Sequence, residues 1–164
     1  MKKIFVAIIF CFFLKLIPAT AQDYDIRGGG GLLYGTGQQN IGLNLRGDVT
    51  FFDQWSLTPH FNVFFNKKDN YVTKRWNAFN IDAHYFFEME RSWRIYPLIG
   101  INFATVSEKV NDITFSNAEI GMNIGAGAEY PLDSRLDGFG ELKYIIGDAD
   151  QAVITVGILH TLFR

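Results

Sequence analysis

Ten charged or titratable side chains fall at positions that leave them pointing one way: Arg27, Arg46, Asp48, His60, Asp82, His84, Glu119, Glu129, Glu141 and Lys143. Each stands in a stretch where apolar and polar residues alternate, and each takes the polar parity. Asp25 shares that parity. Two kinds of chemistry suit such a set. One is a hydrated charge lining that gates a pore. The other is a plug of ion pairs that satisfy one another. A charge taken out of water is costly unless it is paired, so mutual pairing is the expectation. His60, Asp82 and His84 are metal-ligating types, but their spacing matches no zinc signature, and neither metal nor cofactor is expected. The run Arg27-Gly28-Gly29-Gly30-Gly31 lacks the Lys-Ser/Thr of a phosphate loop and opens no helix. A second cluster, Lys67, Lys68, Tyr71, Lys74 and Arg75, falls in the polar stretch 67–75. It reads as an exposed loop whose cations can meet anionic groups or simply face water.

The elements that must position the first set are β-strands. Residues 118–130, AEIGMNIGAGAEY, alternate without a break, with Ile120, Met122, Ile124 and Tyr130 on one face and Glu119, Asn123 and Glu129 on the other. Side chains of a strand alternate with period two, and no helical period fits this run. The same pattern places strands at 24–35, 41–52, 56–66, 76–88, 94–105, 136–146 and 152–164. In the fifth the alternation is weakest, and Ile95, Pro97, Ile99, Ile101 and Phe103 are taken as the apolar face. In the last, Ile154, Val156, Ile158, His160 and Leu162 are. Pro59 inside the third strand suggests a bulge. Residues 67–75 and 106–116 read as the two long loops, and 131–135 as a turn.

Residues 1–21 combine Lys2 and Lys3, an apolar run from Ile4 to Phe13, and Ala19-Thr20-Ala21, the pattern of a secretory signal peptide. The single domain is then 22–164. That domain contains no cysteine, since the chain's one cysteine, Cys11, lies in the leader, so no disulfide framework applies. Removing Lys2, Lys3 and Lys15 from 15 Lys+Arg leaves 12 against 17 Asp+Glu, a net −5, which argues against a nucleic-acid partner. No apolar run after the leader is long enough for a spanning helix.

Eight long strands joined as hairpins describe an antiparallel up-and-down barrel. Alternation alone does not say which face is inside. Aromatic residues near strand ends (Tyr24, Phe51, Trp55, Trp93 and Tyr130 at one rim; Tyr34, Trp76 and Phe103 at the other) favour a membrane barrel with two interfacial girdles. The polar face is rich in Gly and Asn rather than coated with Lys and Glu, which suits the narrow interior of an eight-stranded barrel. With both chain ends at the periplasmic rim, the two long loops fall outside. All three histidines then belong to the periplasmic third of their strands.

The chain resembles the small eight-stranded outer-membrane β-barrel family of the OmpA-transmembrane and OmpX type. The resemblance rests on the leader, on the strand Ile120–Tyr130 followed by Pro131, on Gly138-Phe139-Gly140-Glu141-Leu142-Lys143-Tyr144, and on the terminal Val156–Phe163. Arg164 after Phe163 departs from the family's aromatic end. The resemblance implies an all-β, eight-stranded transmembrane barrel in the cell outer membrane, a monomer assembled by the outer-membrane machinery and surrounded by membrane lipid and lipopolysaccharide. It implies a non-enzymatic role in envelope integrity or surface contact through external loops. The alternatives are an outer-membrane lipid-modifying enzyme, or a secreted soluble barrel that binds a small apolar ligand. The first would need a catalytic set facing lipid near the outer leaflet, where His60, His84 and His160 do not fall, so no catalytic residue is expected.

Overall fold

A computed structural model describes residues 24–51, 54–69, 72–89, 92–110, 113–148 and 150–163. The leader, Tyr71 and Arg164 lie outside them. Among the described residues ten strands form: β1 Asp25–Gly35, β2 Asn40–Phe51, β3 Trp55–Phe64, β4 Lys67–Asp69, β5 Val72–Tyr85, β6 Phe87–Glu88, β7 Arg94–Val110, β8 Ile113–Asp133, β9 Leu136–Gly147 and β10 Gln151–Phe163. β4 continues β3 past Phe65 and Asn66, and β6 continues β5 past Phe86, so the wall has eight staves. All neighbours are antiparallel. β1 pairs β10, and β5 pairs β7, which closes the sheet into a barrel. Closure leaves no free edge, as hydrocarbon requires.

The parity expected from sequence holds in every stave. Outward residues are exposed and apolar, as with Leu45 at 65% and Ile120 at 67%, while alternate residues are buried. Ile95 to Phe103 on β7 and Ile154 to Leu162 on β10 point out as expected. The apolar face is therefore the outer one, which overturns the soluble-barrel alternative. Aromatic residues pair around the rim that carries the chain ends: Tyr24 with Phe51, Trp55 with Tyr85, Tyr85 with Phe87, and Trp93 with Tyr130.

Three local expectations need correction. β2 and β3 keep one register on both sides of Pro59, from Arg46↔His60 to Val49↔Leu57, so no bulge forms there. The register shifts lie instead at Ile26/Arg27 and Pro131/Asp133. Pro131 to Asp133 belong to β8, and only Ser134 and Arg135 turn. Trp76 lies on the inward parity of β5, half-buried over an apolar cluster, rather than in the lipid belt.

The largest correction concerns the two supposed loops. Lys67, Lys68 and Asp69 pair with Lys74, Thr73 and Val72. β7 and β8 run on together to Val110↔Ile113, and β5 stays paired to β7 as far as Val72↔Val110. A membrane crossing takes about 9–11 residues. β7 has 17 and β8 has 21. The sheet thus projects beyond the rim away from the chain ends, the far rim, as a four-strand extension of β4, β5, β7 and β8.

Candidate functional site, the charged bore

Nine of the ten sequence-selected residues are buried in the bore. Nearest the chain ends, Arg27 on β1 reaches three carboxylates. Its Nη2 donates to Asp48 Oδ1 at 2.8 Å, and its Nη1 to Glu129 Oε2 at 2.7 Å and Asp137 Oδ2 at 3.0 Å. Arg94 Nη2 shares Glu129 at 2.7 Å. The second oxygen of Asp48 accepts from Ser56 Oγ at 2.6 Å and Thr58 Oγ1 at 2.8 Å. Both guanidinium groups lie against the Phe86 ring, 5.8 Å and 5.0 Å from its centre. A cation over an aromatic face gains electrostatic energy where water is excluded.

One layer further in, Arg46 forks onto Glu141 with two 3.1 Å bonds, and Phe139 lies 4.1 Å beneath its guanidinium. Tyr96 O–H donates to the same carboxylate at 3.2 Å. The Tyr96 ring stacks on His84, 4.5 Å between centres. Room for that ring comes from its cross-strand partner Gly127, where any Cβ would land on it.

The third layer joins amides, an imidazole and a paired charge. Arg46 Nε can only donate, and it faces Asn44 at 3.1 Å, so that atom of Asn44 is its oxygen. The Asn44 amide nitrogen then faces His60 Nδ1 at 3.0 Å, and Asn62 Oδ1 lies 3.4 Å from the same ring nitrogen. The other ring nitrogen, Nε2, faces Asp82 Oδ2, 2.9 Å away. Lys143 Nζ donates to the same oxygen at 3.0 Å, and Asn123 Nδ2 donates to Asp82 Oδ1 at 2.6 Å. Asn123 and Asn102 both donate to Asn80.

His60, Asp82 and Glu141 bring one ligand-type atom each to within 4.8 Å of one another. The space has a cation already. Lys143 Nζ is 2.9 Å from His60 Nε2 and 3.8 Å from Glu141 Oε1. His60 sits mid-strand, level with Arg46 and Asn80, rather than in the terminal third.

Glu119 stands apart. It is half-buried opposite Ala104, and its Oε2 finds no partner among the described residues. Sequence reasoning passed over Tyr96, Arg94, Asp137, Thr58 and the asparagines as network members. Their parity was the available signal, since each alternates with an outward residue. Beyond the asparagines the bore is closed by an apolar plug of Leu33, Phe64, Ile145 and Val153. Of the external set, Lys67 and Lys68 lie on β4, Lys74 pairs with Glu108 at 2.8 Å, and Arg75 is exposed opposite Ser107.

A closed eight-stave barrel with an apolar exterior, an aromatic rim and an ion-paired bore is an outer-membrane barrel. Residues 12–158 match the family described as outer membrane protein beta-barrel domain, and the chain belongs to that family. The protein is accordingly a small eight-stranded barrel of the Gram-negative outer membrane. No curated protein matches the chain. Among solved structures it is similar to Neisserial surface protein A, at 11% identity over 85% of this chain and 97% of that one, with a TM-score of 0.64. It is similar to Ail, the attachment invasion locus protein of Yersinia pestis, at 13% identity over 87% and 100%, TM-score 0.64. The N-terminal beta-barrel domain of Pseudomonas aeruginosa OprF matches at 16% over 86% and 98%, TM-score 0.65. At such identities the likeness is one of fold.

Proposed function

We propose that this protein is a non-catalytic outer-membrane barrel that works through the sheet extension beyond its far rim, in surface contact or envelope integrity. The observation that carries the reading is the contrast between a bore filled by ion pairs and a plug, and β7 and β8 strands of 17 and 21 residues that outrun the membrane. Residues 1–21 act as a cleaved signal peptide, both chain ends lie in the periplasm, and the far rim faces out. This follows the pattern of short periplasmic turns and longer external excursions. The barrel is inserted by the assembly machinery as a monomer. Lys67, Lys68, Lys74 and Arg75 approach anionic lipopolysaccharide groups around it, with Tyr71 as a further contact.

The test separates folding from contact. Shorten both hairpins to the rim, removing 67–74 and 107–116 in favour of tight turns, and follow heat-modifiable gel mobility and adhesion of whole cells. Folding is expected to survive and surface contact to fall. Protease added to intact cells should cut the native protein at the hairpin tips. Failure to cut would place the extension in the periplasm. A deletion strain should keep its lipid A unchanged; altered lipid A acylation would replace this reading with the enzymatic one.

A further inference from the structure

Above the far rim the sheet no longer closes. Residues 113–120 of β8 pair with β7 on one side, and pairing to β9 begins only at Gly121↔Gly147. Among the described residues no strand pairs the other side of this stretch, which therefore presents backbone N–H and C=O groups to water. The extension's opposite edge is β4. It has three residues, two of them lysines, and shortness and lysine are usual protections of an edge against foreign strands. The β8 edge has neither. Ile113-Thr114-Phe115-Ser116-Asn117-Ala118 carries no charge and no proline, and its ladder with β7 runs without a bulge. The open stretch is longer than the usual strand of about 5–6 residues. Within it Phe115 stands 63% exposed.

We infer that the β8 edge is a homophilic contact, and that its occupant is the same edge of a second copy held in a facing membrane. Two identical edges complement each other when they run antiparallel, since each offers donors where the other offers acceptors. The two-fold axis of such a pair stands perpendicular to the sheet. The extension continues the barrel wall, so that axis lies in the plane of the membrane and the second barrel is inverted. Two copies in one membrane run β8 in the same sense and cannot form this ladder. With Ser116 on the axis, Phe115 lies opposite Asn117 of the second copy, and Ile113 opposite its Glu119. Each hairpin then ends near the other's rim, at Gly121, and enters neither membrane. The two Phe115 residues become diagonal neighbours about 7–8 Å apart, within reach of aromatic rings. Glu119, the one charge in the stretch, meets no second carboxylate. Because β4 is protected, the contact closes on two copies and does not grow into a fibre. The assignment deepens the surface-contact reading by naming its partner, and rests on the far rim facing out.

The experiment uses the folded barrel in phosphatidylcholine vesicles of two fluorescent colours, with added protease reporting how much of the extension faces out. Two-colour clustering is expected when both populations carry the protein, and not when one is bare. Ser116→Lys and Ser116→Glu each place like charges on the axis and should slow clustering about tenfold. Mixing vesicles of the first variant with vesicles of the second should restore it, which neither misfolding nor an unrelated contact would do. Gel mobility shows that each variant is folded. Ser116→Cys adds a cysteine to a domain that has none, and oxidation should join copies from different vesicles as disulfide dimers. Clustering with bare vesicles would make the partner lipid, and clustering that survives both charge variants would move the contact to another surface. Either result overturns the assignment, as does no clustering where protease shows the extension outside. If clustering fails while trimming the hairpins still lowers whole-cell adhesion, the surface-contact reading stands with a different partner. If vesicles cluster but protease on whole cells never reaches the extension, the edge pairs as inferred and only the orientation falls.

Discussion

The Arg46–Glu141 pair offers the sharpest test of the bore as a plug. Both side chains are buried, and the fork of two 3.1 Å bonds is the only ion pair Arg46 makes among the described residues. Breaking a buried pair by removing one partner costs about 3–5 kcal/mol, because an uncompensated charge remains. The two single variants should differ within that range. Arg46→Met leaves Glu141 with Lys143 Nζ 3.8 Å away and the Tyr96 hydroxyl at 3.2 Å, so the loss should fall near ~3 kcal/mol. Glu141→Gln leaves Arg46 with no carboxylate, only Asn44, one neutral amide oxygen at position 141 and the Phe139 ring, so its loss should lie near ~5 kcal/mol. The double variant removes both charges and keeps an acceptor for Tyr96. Replacing a buried pair by neutral groups is often close to neutral, so its cost should stay below ~2 kcal/mol. Equilibrium urea unfolding in phospholipid vesicles, followed by tryptophan emission and gel mobility, measures all three. Single losses below ~1 kcal/mol, the range of exposed pairs, would mean that water fills the bore. A double loss equal to the sum of the singles would mean that the two groups do not act on each other.

Three further outcomes follow from the same geometry. Ile124→Arg on the lipid face should cost about 2–4 kcal/mol in vesicles, while Asn117→Arg on the extension should fold as wild type; equal losses would dissolve the distinction between wall and extension. Planar-bilayer recordings should show no steady wide conductance, and an open channel at neutral pH would contradict the plug of Leu33, Phe64, Ile145 and Val153. Gly127→Val should displace Tyr96 from the bore and lower stability by about 1–3 kcal/mol, the usual cost of overpacking; a neutral substitution would show that the Tyr96–His84 stack is not confined by that close approach.

Parity was written in the chain. A membrane stave must be apolar on one face and must not be on the other, so Ile120, Met122 and Ile124 against Glu119, Asn123 and Glu129 declare their sides without any knowledge of neighbours. The wall and the choice of bore residues were legible for that reason. The extension was not. Above the membrane a strand has water on both faces and needs no apolar stripe, so KKDNYVTKR and SEKVNDITFS carry no period-two signal, and their polarity imitates a loop. Only backbone pairing, such as Thr73↔Lys109, shows their described residues to be sheet. Nor could the sequence say which charge meets which. Arg46 lies three staves from Glu141 around the wall, through β1 and β10, yet reaches it across the bore. That meeting depends on strand stagger and bore width, which are properties of the closed barrel and of no single strand.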